Sequence, residues 1–144
     1  MRARSKARKQ ALDLLFEADI RGTSVMDTLS ARLLQSTQEE GSDARPIREY
    51  AHALISGVTE RRRKIDELIS TYAQGWDMDR LPAVDRNILR IAIFEILWAN
   101  EIPDPVAIDE ALNLAKLLST DESAGYIHGV LGRISSIKED LALS

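Results

Sequence analysis

Apolar residues recur every three or four positions along most of the chain, which is the period of an amphipathic helix. The pattern is clearest after Pro46, where apolar residues stand 0, 3, 4, 7, 8 and 11 positions from Ile47. No stretch alternates apolar and polar residues as a half-buried strand does, and no Asn-Gly or Asp-Gly hairpin turn occurs. The sequence therefore predicts an all-α protein with about seven helices. The first five are expected over about residues 5–21, 24–36, 46–58, 60–73 and 82–98, the sixth after Pro103 and Pro105 up to about residue 118, and the seventh after the turn 119–123 up to about residue 141.

Local signals mark the ends of these helices. Gly22 is typical of a helix C-terminus, and residues 24–27 form a capping-box-like start for the next helix. The polar turn 119–123 offers several residues that cap a helix N-terminus. Residues 75–76 are expected to end the fourth helix. Residues 37–45 have no apolar period and are expected to form a surface loop.

The fifth predicted helix is apolar on nearly all sides over residues 88–98, which is typical of a helix surrounded by others. Charged residues interrupt this region at Asp85, Arg86, Arg90 and Glu95. A carboxylate beside a guanidinium is compatible with acid–base chemistry. However, no nucleophile, base and orienting group can be assembled from the sequence. The favoured interpretation is an ion-pair network that fixes helix register, or a contact to another protein.

The composition narrows the class of function. A chain of 144 residues with 44% hydrophobic and 29% charged residues is typical of one folded domain. It contains no cysteine, which excludes disulfides, zinc–thiolate sites and cysteine nucleophiles, and only two histidines. No apolar run approaches the ~20 residues that span a bilayer. We expect a soluble cytoplasmic protein without a resident metal or cofactor.

Charge is distributed unevenly along the chain. The first ten residues contain five bases and no acid, whereas the rest contains 14 bases against 23 acids. Basic segments that order on phosphates are a common device for RNA binding, so we assign this arm to nucleic acid in preference to a merely solubilising terminus. If the first helix extends back through the arm, Arg4, Arg8 and Lys9 are expected on its outer face. A second basic run, residues 61–64, is expected to be a solvated helix surface.

Three glycines, Gly125, Gly129 and Gly132, lie in the last predicted helix. Each costs about 1 kcal/mol relative to alanine, so they need a structural reason. Close approach of another helix is the expected reason, and a gap that admits a flat ligand is the alternative. Tyr126 and His128 lie between these glycines. Either Tyr126 or His128 is a candidate stacking platform for a base, and Tyr126 is equally a candidate core residue, so the sequence alone leaves these alternatives open.

Four stretches of the sequence together resemble the NusB family of bacterial transcription antitermination factors. They occur in the family's order along nearly the full length, and the region from residue 75 to residue 86 looks like actinobacterial members. The four stretches are 7–16 (ARKQALDLLF), 84–97 (VDRNILRIAIFEIL), 102–116 (IPDPVAIDEALNLAK) and 121–131 (DESAGYIHGVL).

The resemblance implies one NusB-like domain over residues 1–144, built from two small helical bundles packed together, with residues 1–9 as a basic arm. Family members are not enzymes. They pair with the small-subunit ribosomal protein NusE and bind the single-stranded boxA element of nascent ribosomal RNA. They thereby help RNA polymerase to read through terminators, with polymerase and other Nus factors as indirect partners. The sequence does not decide between a monomer and a homodimer.

The resemblance also implies which residues bind each partner. NusE contacts map to Asp79 and Asp85. Relatives commonly have phenylalanine and asparagine where this chain has Tyr126 and His128. Tyrosine keeps a stacking ring, whereas a neutral imidazole changes the hydrogen-bonding pattern. The RNA-binding positions are Arg4, Lys6, Arg8, Lys9, Lys116, Tyr126 and His128.

Two other functions were weighed against RNA-binding antitermination. RNA cytosine methyltransferases carry a NusB-like domain before their catalytic domain, but this chain lacks the cysteine that their chemistry needs. A protein–protein module that has lost RNA binding would keep the arm only for solubility. Salt-sensitive binding to a short single-stranded RNA separates that module from an RNA-binding protein.

Overall fold

The computed structural model describes residues 2–38, 46–73 and 80–141. Seven α-helices and no β-strand lie in these residues, so the predicted all-α fold is confirmed. None of the described helices is both long and apolar enough to cross a membrane. The helices are α1 (Ala3–Arg21), α2 (Val25–Gln38), α3 (Glu49–Glu60), α4 (Arg62–Tyr72), α5 (Ala83–Trp98), α6 (Asp104–Leu118) and α7 (Asp121–Ile137), and a 3-10 turn follows at Lys138–Asp140.

The first helix boundary follows the signals in the sequence. α1 is followed by Gly22, whose φ of 65° lies in the left-handed region that glycine adopts most readily. The Thr23 amide reaches back to the Ala18 carbonyl at 3.0 Å, which satisfies one of the free carbonyls of the last turn. At the start of α2 the Asp27 amide donates to Ser24 Oγ at 3.4 Å, as the capping pattern predicted.

Other boundaries shift by a few residues. α1 begins at Ala3, two residues earlier than predicted, and α2 continues to Gln38, into the predicted loop. α7 ends at Ile137, and the chain tightens into the 3-10 turn before Leu141. The rest of the predicted loop, residues 39–45, and the predicted end of α4 at residues 75–76 lie outside the described residues.

The chain forms two compact units, divided between Glu60 and Arg61. In the first unit α1, α2 and α3 all pack against one another. In the second unit α5 packs against α4, α6 and α7, and α7 also packs against α4 and α6. Two small helical units agree with the predicted architecture. The largest fully buried side chains of the first unit are Leu12, Leu14, Leu15, Leu29, Leu54 and Ile55, and those of the second are Ile65, Ile69, Ile88, Leu89, Ile93 and Ile127.

Helix α5 is surrounded, as its apolar pattern predicted. Every residue from Asn87 to Leu97 except Phe94 is buried. Among them is Arg90, whose Nε and Nη2 donate to the two carboxylate oxygens of Asp66 at 2.8 and 3.1 Å. Its Nη1 donates to Asn87 Oδ1 at 2.9 Å. Arg90 therefore takes part in an ion pair, and the carboxylate of that pair comes from α4.

Candidate nucleic-acid interface

The first turn of α1 is a cluster of exposed positive charge. Arg2, Arg4 and Lys6 are exposed, and none of them forms an ion pair with a described residue. The Arg4 guanidinium lies 4.9 Å from the centre of the Tyr50 ring on α3, which is a cation–π contact. The Lys6 amide donates to the Arg2 carbonyl at 2.9 Å. Arg2 is the extended residue just before α1, and Arg4 and Lys6 lie in its first turn. These three charges are called the basic turn below.

The sequence led us to expect Arg8 on the outer face of α1, but Arg8 does not lie there. It is only 3% exposed. Position 8 lies four residues before Leu12 and seven before Leu15, so it shares the buried stripe of the helix. Its guanidinium lies 5.7 Å from the centre of the Tyr50 ring. The expectation was wrong because position 8 is in register with the apolar stripe, where the guanidinium lies near the Tyr50 ring.

The other predicted RNA-binding side chains differ in their partners. Lys9 is partly exposed, and its Nζ lies 3.2 Å from Asp13 Oδ2, one helical turn away. Lys116 in the last turn of α6 and His128 in α7 are exposed. Neither Lys116 nor His128 makes a side-chain hydrogen bond or ion pair with a described residue. Both are therefore available to a ligand, whereas Lys9 is already shared with a carboxylate.

Asp85 was expected on an exposed acidic face that contacts NusE, but the structure does not place it on such a face. It is 2% exposed, and its Oδ2 accepts a hydrogen bond from Ser123 Oγ at 2.7 Å. This bond joins the start of α5 to the first turn of α7. Thr120 caps the same turn, because its Oγ1 accepts the Ser123 amide at 3.0 Å. The carboxylate is thus used inside the second unit, and Asp79, the other predicted partner residue, lies outside the described residues.

A pocket of about 340 Å³ opens beside Asp85. Asp85 and Glu122 are both among its lining residues, and the buried Asp85 Oδ1 accepts no hydrogen bond from a described residue. The pocket therefore suits a positively charged or hydrogen-bond-donating group. The remaining lining residues are Leu81, Pro82, Ser119, Thr120, Ser123 and Tyr126.

Tyr126 lies on α7, half-buried, between this pocket and a second, longer groove. Burial raises the pKa of its phenol above the ordinary value of 10.0, and the negative charge of Asp85 raises it further. The side chain is therefore neutral at physiological pH. Tyr126 as a whole is half-buried, and its hydroxyl oxygen is buried.

The second groove has a volume of about 530 Å³ and runs between α4 and α7. A Cβ added at Gly125, Gly129 or Gly132 would meet no described atom within 4 Å. The expected close approach of another helix at these glycines is therefore wrong for the part of the chain that the structure describes, and the glycines of this groove border open space. This α4–α7 groove is lined by Thr71, Tyr72, Gly125, Tyr126, Gly129, Val130 and Arg133.

Comparison with known proteins identifies the family. A family model described as the NusB family matches residues 5–136. The chain belongs to the NusB family. Among curated relatives, the transcription antitermination protein NusB of Kineococcus radiotolerans is 46% identical over 99% of both chains. The protein of the same name from Saccharopolyspora erythraea is 48% identical, over 98% of this chain and 92% of its own.

Solved NusB structures share this fold. NusB of T. maritima aligns with a TM-score of 0.77 at 32% identity, over 97% of this chain and 99% of its own. A chain from the crystal structure of antitermination factors NusB and NusE in complex with dsRNA aligns with a TM-score of 0.76 at 25% identity. That alignment covers 94% of this chain and 98% of the other. The predicted resemblance to the NusB family is confirmed over nearly the whole chain.

Within this family fold, the sequence did not single out Arg133, which lies at the α4–α7 groove. A signal for it was present, because Gly125, Gly129 and Arg133 are spaced by four and share one helix face. No signal connected that face with Tyr72, which belongs to another helix.

Proposed function

We propose that this protein is an RNA-binding transcription antitermination factor. Together with the ribosomal protein NusE, it binds the boxA element of nascent ribosomal RNA and promotes read-through by RNA polymerase. Its membership of the NusB family and its similarity to a chain of the NusB–NusE–dsRNA complex support this proposal. We place it in the cytoplasm, with polymerase and other Nus factors as indirect partners.

The observation that carries the proposal is the basic turn. The chain as a whole has a net charge of -4, yet Arg2, Arg4 and Lys6 present three exposed positive charges that no described carboxylate pairs with. Unpaired cations at one helix start attract phosphates and release the counterions bound to them. Arg4 is further held in place by the Tyr50 ring, so its guanidinium is partly ordered before RNA arrives.

The second unit supplies the contacts to bases in this proposal. A base stacks on the exposed part of the Tyr126 ring, while His128 and Lys116 add hydrogen bonds and charge from exposed positions. Arg8 is buried in α1, so it supports the helix and does not contact RNA directly in this proposal. Lys9 contributes less than an unpaired lysine, because RNA must compete for it with Asp13.

The acidic pocket beside Asp85 is the surface that suits a basic ribosomal protein. Asp85 is too buried for a contact across a flat interface, so NusE must insert a donor side chain to reach it. Glu122 is exposed and lines the same pocket, so it meets NusE first. A role of Asp79 in NusE binding stays a prediction.

Titration of labelled boxA RNA, with and without NusE, at two salt concentrations tests the proposal. We expect binding in the presence of NusE, with log affinity falling against log salt by about 0.7 for each phosphate contact. An RNA of the same length with the boxA sequence scrambled is the control. Equal affinity for the two RNAs, or no salt-dependent binding of either, would contradict the proposal.

A further inference from the structure

We propose that the α4–α7 groove holds the RNA strand beyond the base at Tyr126 and places one of its phosphates on Arg133. This inference rests on the proposed RNA binding and extends it to residues on α4 and on the middle of α7.

The dimensions of the groove suit a short length of single strand. Tyr126 and Arg133 are seven residues apart on α7, which is about 10 Å at 1.5 Å per residue. Stacked nucleotides of one strand are about 3.4 Å apart, so this length matches about three nucleotides. Gly125 and Gly129 leave the helix backbone open between the two side chains, since a Cβ at either position would touch no described atom.

The chemistry of the lining suits an anion that carries flat rings. Tyr72 and Tyr126 provide aromatic surfaces, and Thr71 provides a hydroxyl. Arg133 is exposed, and its side chain makes no hydrogen bond or ion pair with a described residue. No acid occurs among the described lining residues, although acids outnumber bases in the chain by 23 to 19.

The charges that line the groove and the neighbouring pocket differ, and this difference indicates what binds in the groove. Asp85 and Glu122 line that pocket, so it favours a cation, whereas the groove offers Arg133 and favours an anion. Tyr126 lines both. An RNA strand that stacks on Tyr126 therefore continues into the groove without leaving the protein surface. A basic protein segment binds instead in the acidic pocket, on the other side of the Tyr126 ring.

The first test compares two RNAs on the full-length protein. One is the shortest RNA that responds to Tyr126→Ala, and the other carries three further nucleotides at its 5′ or its 3′ end. We expect Arg133→Ala to weaken binding of the extended RNA several-fold, to lower its salt slope by about 0.7, and to leave the short RNA unaffected. Arg63→Ala is the matched control, because Arg63 is exposed on α4 and lies outside the groove lining.

The second test places a large side chain in the groove. Gly129→Leu is expected to fold, since its Cβ meets no described atom and leucine is a better helix former than glycine. It should abolish the affinity that the three added nucleotides contribute. Gly132→Leu has the same open surroundings, lies outside the groove lining, and should leave that contribution unchanged.

The outcomes of these tests distinguish a failure of this inference from a failure of the proposed function on which it rests. If the extended RNA binds the wild type and Arg133→Ala equally, the groove is not an RNA surface, while RNA binding at Tyr126 survives. If Arg133→Ala weakens NusE binding and leaves both RNAs unaffected, the groove belongs to a protein partner and the inference is overturned. If neither RNA binds the wild type with NusE present, the proposed function itself fails, and the inference fails with it.

Discussion

Two surfaces of this protein differ in what they offer an RNA strand. The basic turn at the start of α1 offers exposed charge, with no described carboxylate paired to it. The start of α7 offers shape: a pocket, a groove and the half-buried ring of Tyr126, in a first turn whose charged residues, Asp121 and Glu122, are acidic. Phosphate contacts position a strand, whereas contacts to bases distinguish one sequence from another. In the proposed function, the basic turn therefore supplies phosphate contacts, and Tyr126 supplies the contact to a base, with Arg133 adding a phosphate contact farther along α7.

The largest expected effect concerns the framework that holds the shaped surface. Arg90 joins α5 to α4 through Asp66, and its side chain is 4% exposed. Arg90→Ala removes three hydrogen bonds of a buried guanidinium, so it should lower the free energy of unfolding by about 3 kcal/mol, although Asp66 is 28% exposed and keeps Arg62 as a partner. Arg62→Ala removes a cation from the same carboxylate, but Arg62 is 40% exposed, so we expect less than about 1 kcal/mol. Urea unfolding measures both, and equal losses would contradict this account of the framework.

The next effect concerns the ring itself. Tyr126→Ala should weaken RNA binding by about 1–3 kcal/mol, which is about 5- to 150-fold, because it removes a stacking surface. Tyr126→Phe keeps the ring and should bind RNA almost as well as the wild type. Thermal melting and RNA affinity are measured on the same two variants. A loss of about 3–5 kcal/mol in stability with intact RNA affinity would show that Tyr126 is a core residue instead.

A smaller effect is expected from replacing either of two arginines that lie one turn apart in α1. Arg4 is exposed and Arg8 is 3% exposed, although both lie near Tyr50. Arg8→Ala should cost about 1–2 kcal/mol of stability through lost packing. Arg4→Ala should change stability by less than about 0.5 kcal/mol and lower the salt slope of RNA binding by about 0.7. The opposite assignment of these two effects would contradict the description of α1.

The smallest effect is a pH dependence at Tyr126. Its raised pKa means that the folded state holds the phenol proton more tightly than the unfolded state does. The resulting stability is fully present below the ordinary pKa of 10.0 and is lost as the pH rises through the raised value. Tyr126→Phe has no phenol to ionise. Unfolding free energies of wild type and variant, compared between about pH 9 and pH 11, should therefore shift in favour of the variant.

Local features of the sequence were enough to predict the helices. Gly22 has the positive φ that ends α1, and Thr120 accepts the Ser123 amide in the turn where capping residues were expected. Both signals act within a few residues, so they can be recognised without a tertiary structure. The apolar surroundings of α5 were equally visible, because an all-round apolar helix can only be buried.

The contacts between helices could not be predicted in the same way. Arg90 finds its carboxylate on Asp66, 24 residues away on another helix, and no periodicity connects the two. Tyr72 and Arg133 also lie on different helices, and only the tertiary structure brings both to the same groove. Arg8 was misplaced for a different reason: its charge argued for the surface, but its register with Leu12 places it in the buried stripe.

The central claim is that charge and shape act separately, and one set of titrations tests it. RNA affinity of the wild type, Arg4→Ala and Tyr126→Ala is measured with NusE at several salt concentrations, and log affinity is plotted against log salt. We predict that Arg4→Ala lowers the slope by about 0.7, while Tyr126→Ala gives a line parallel to the wild type and about 5- to 150-fold weaker throughout. A changed slope for Tyr126→Ala together with an unchanged slope for Arg4→Ala would contradict the claim.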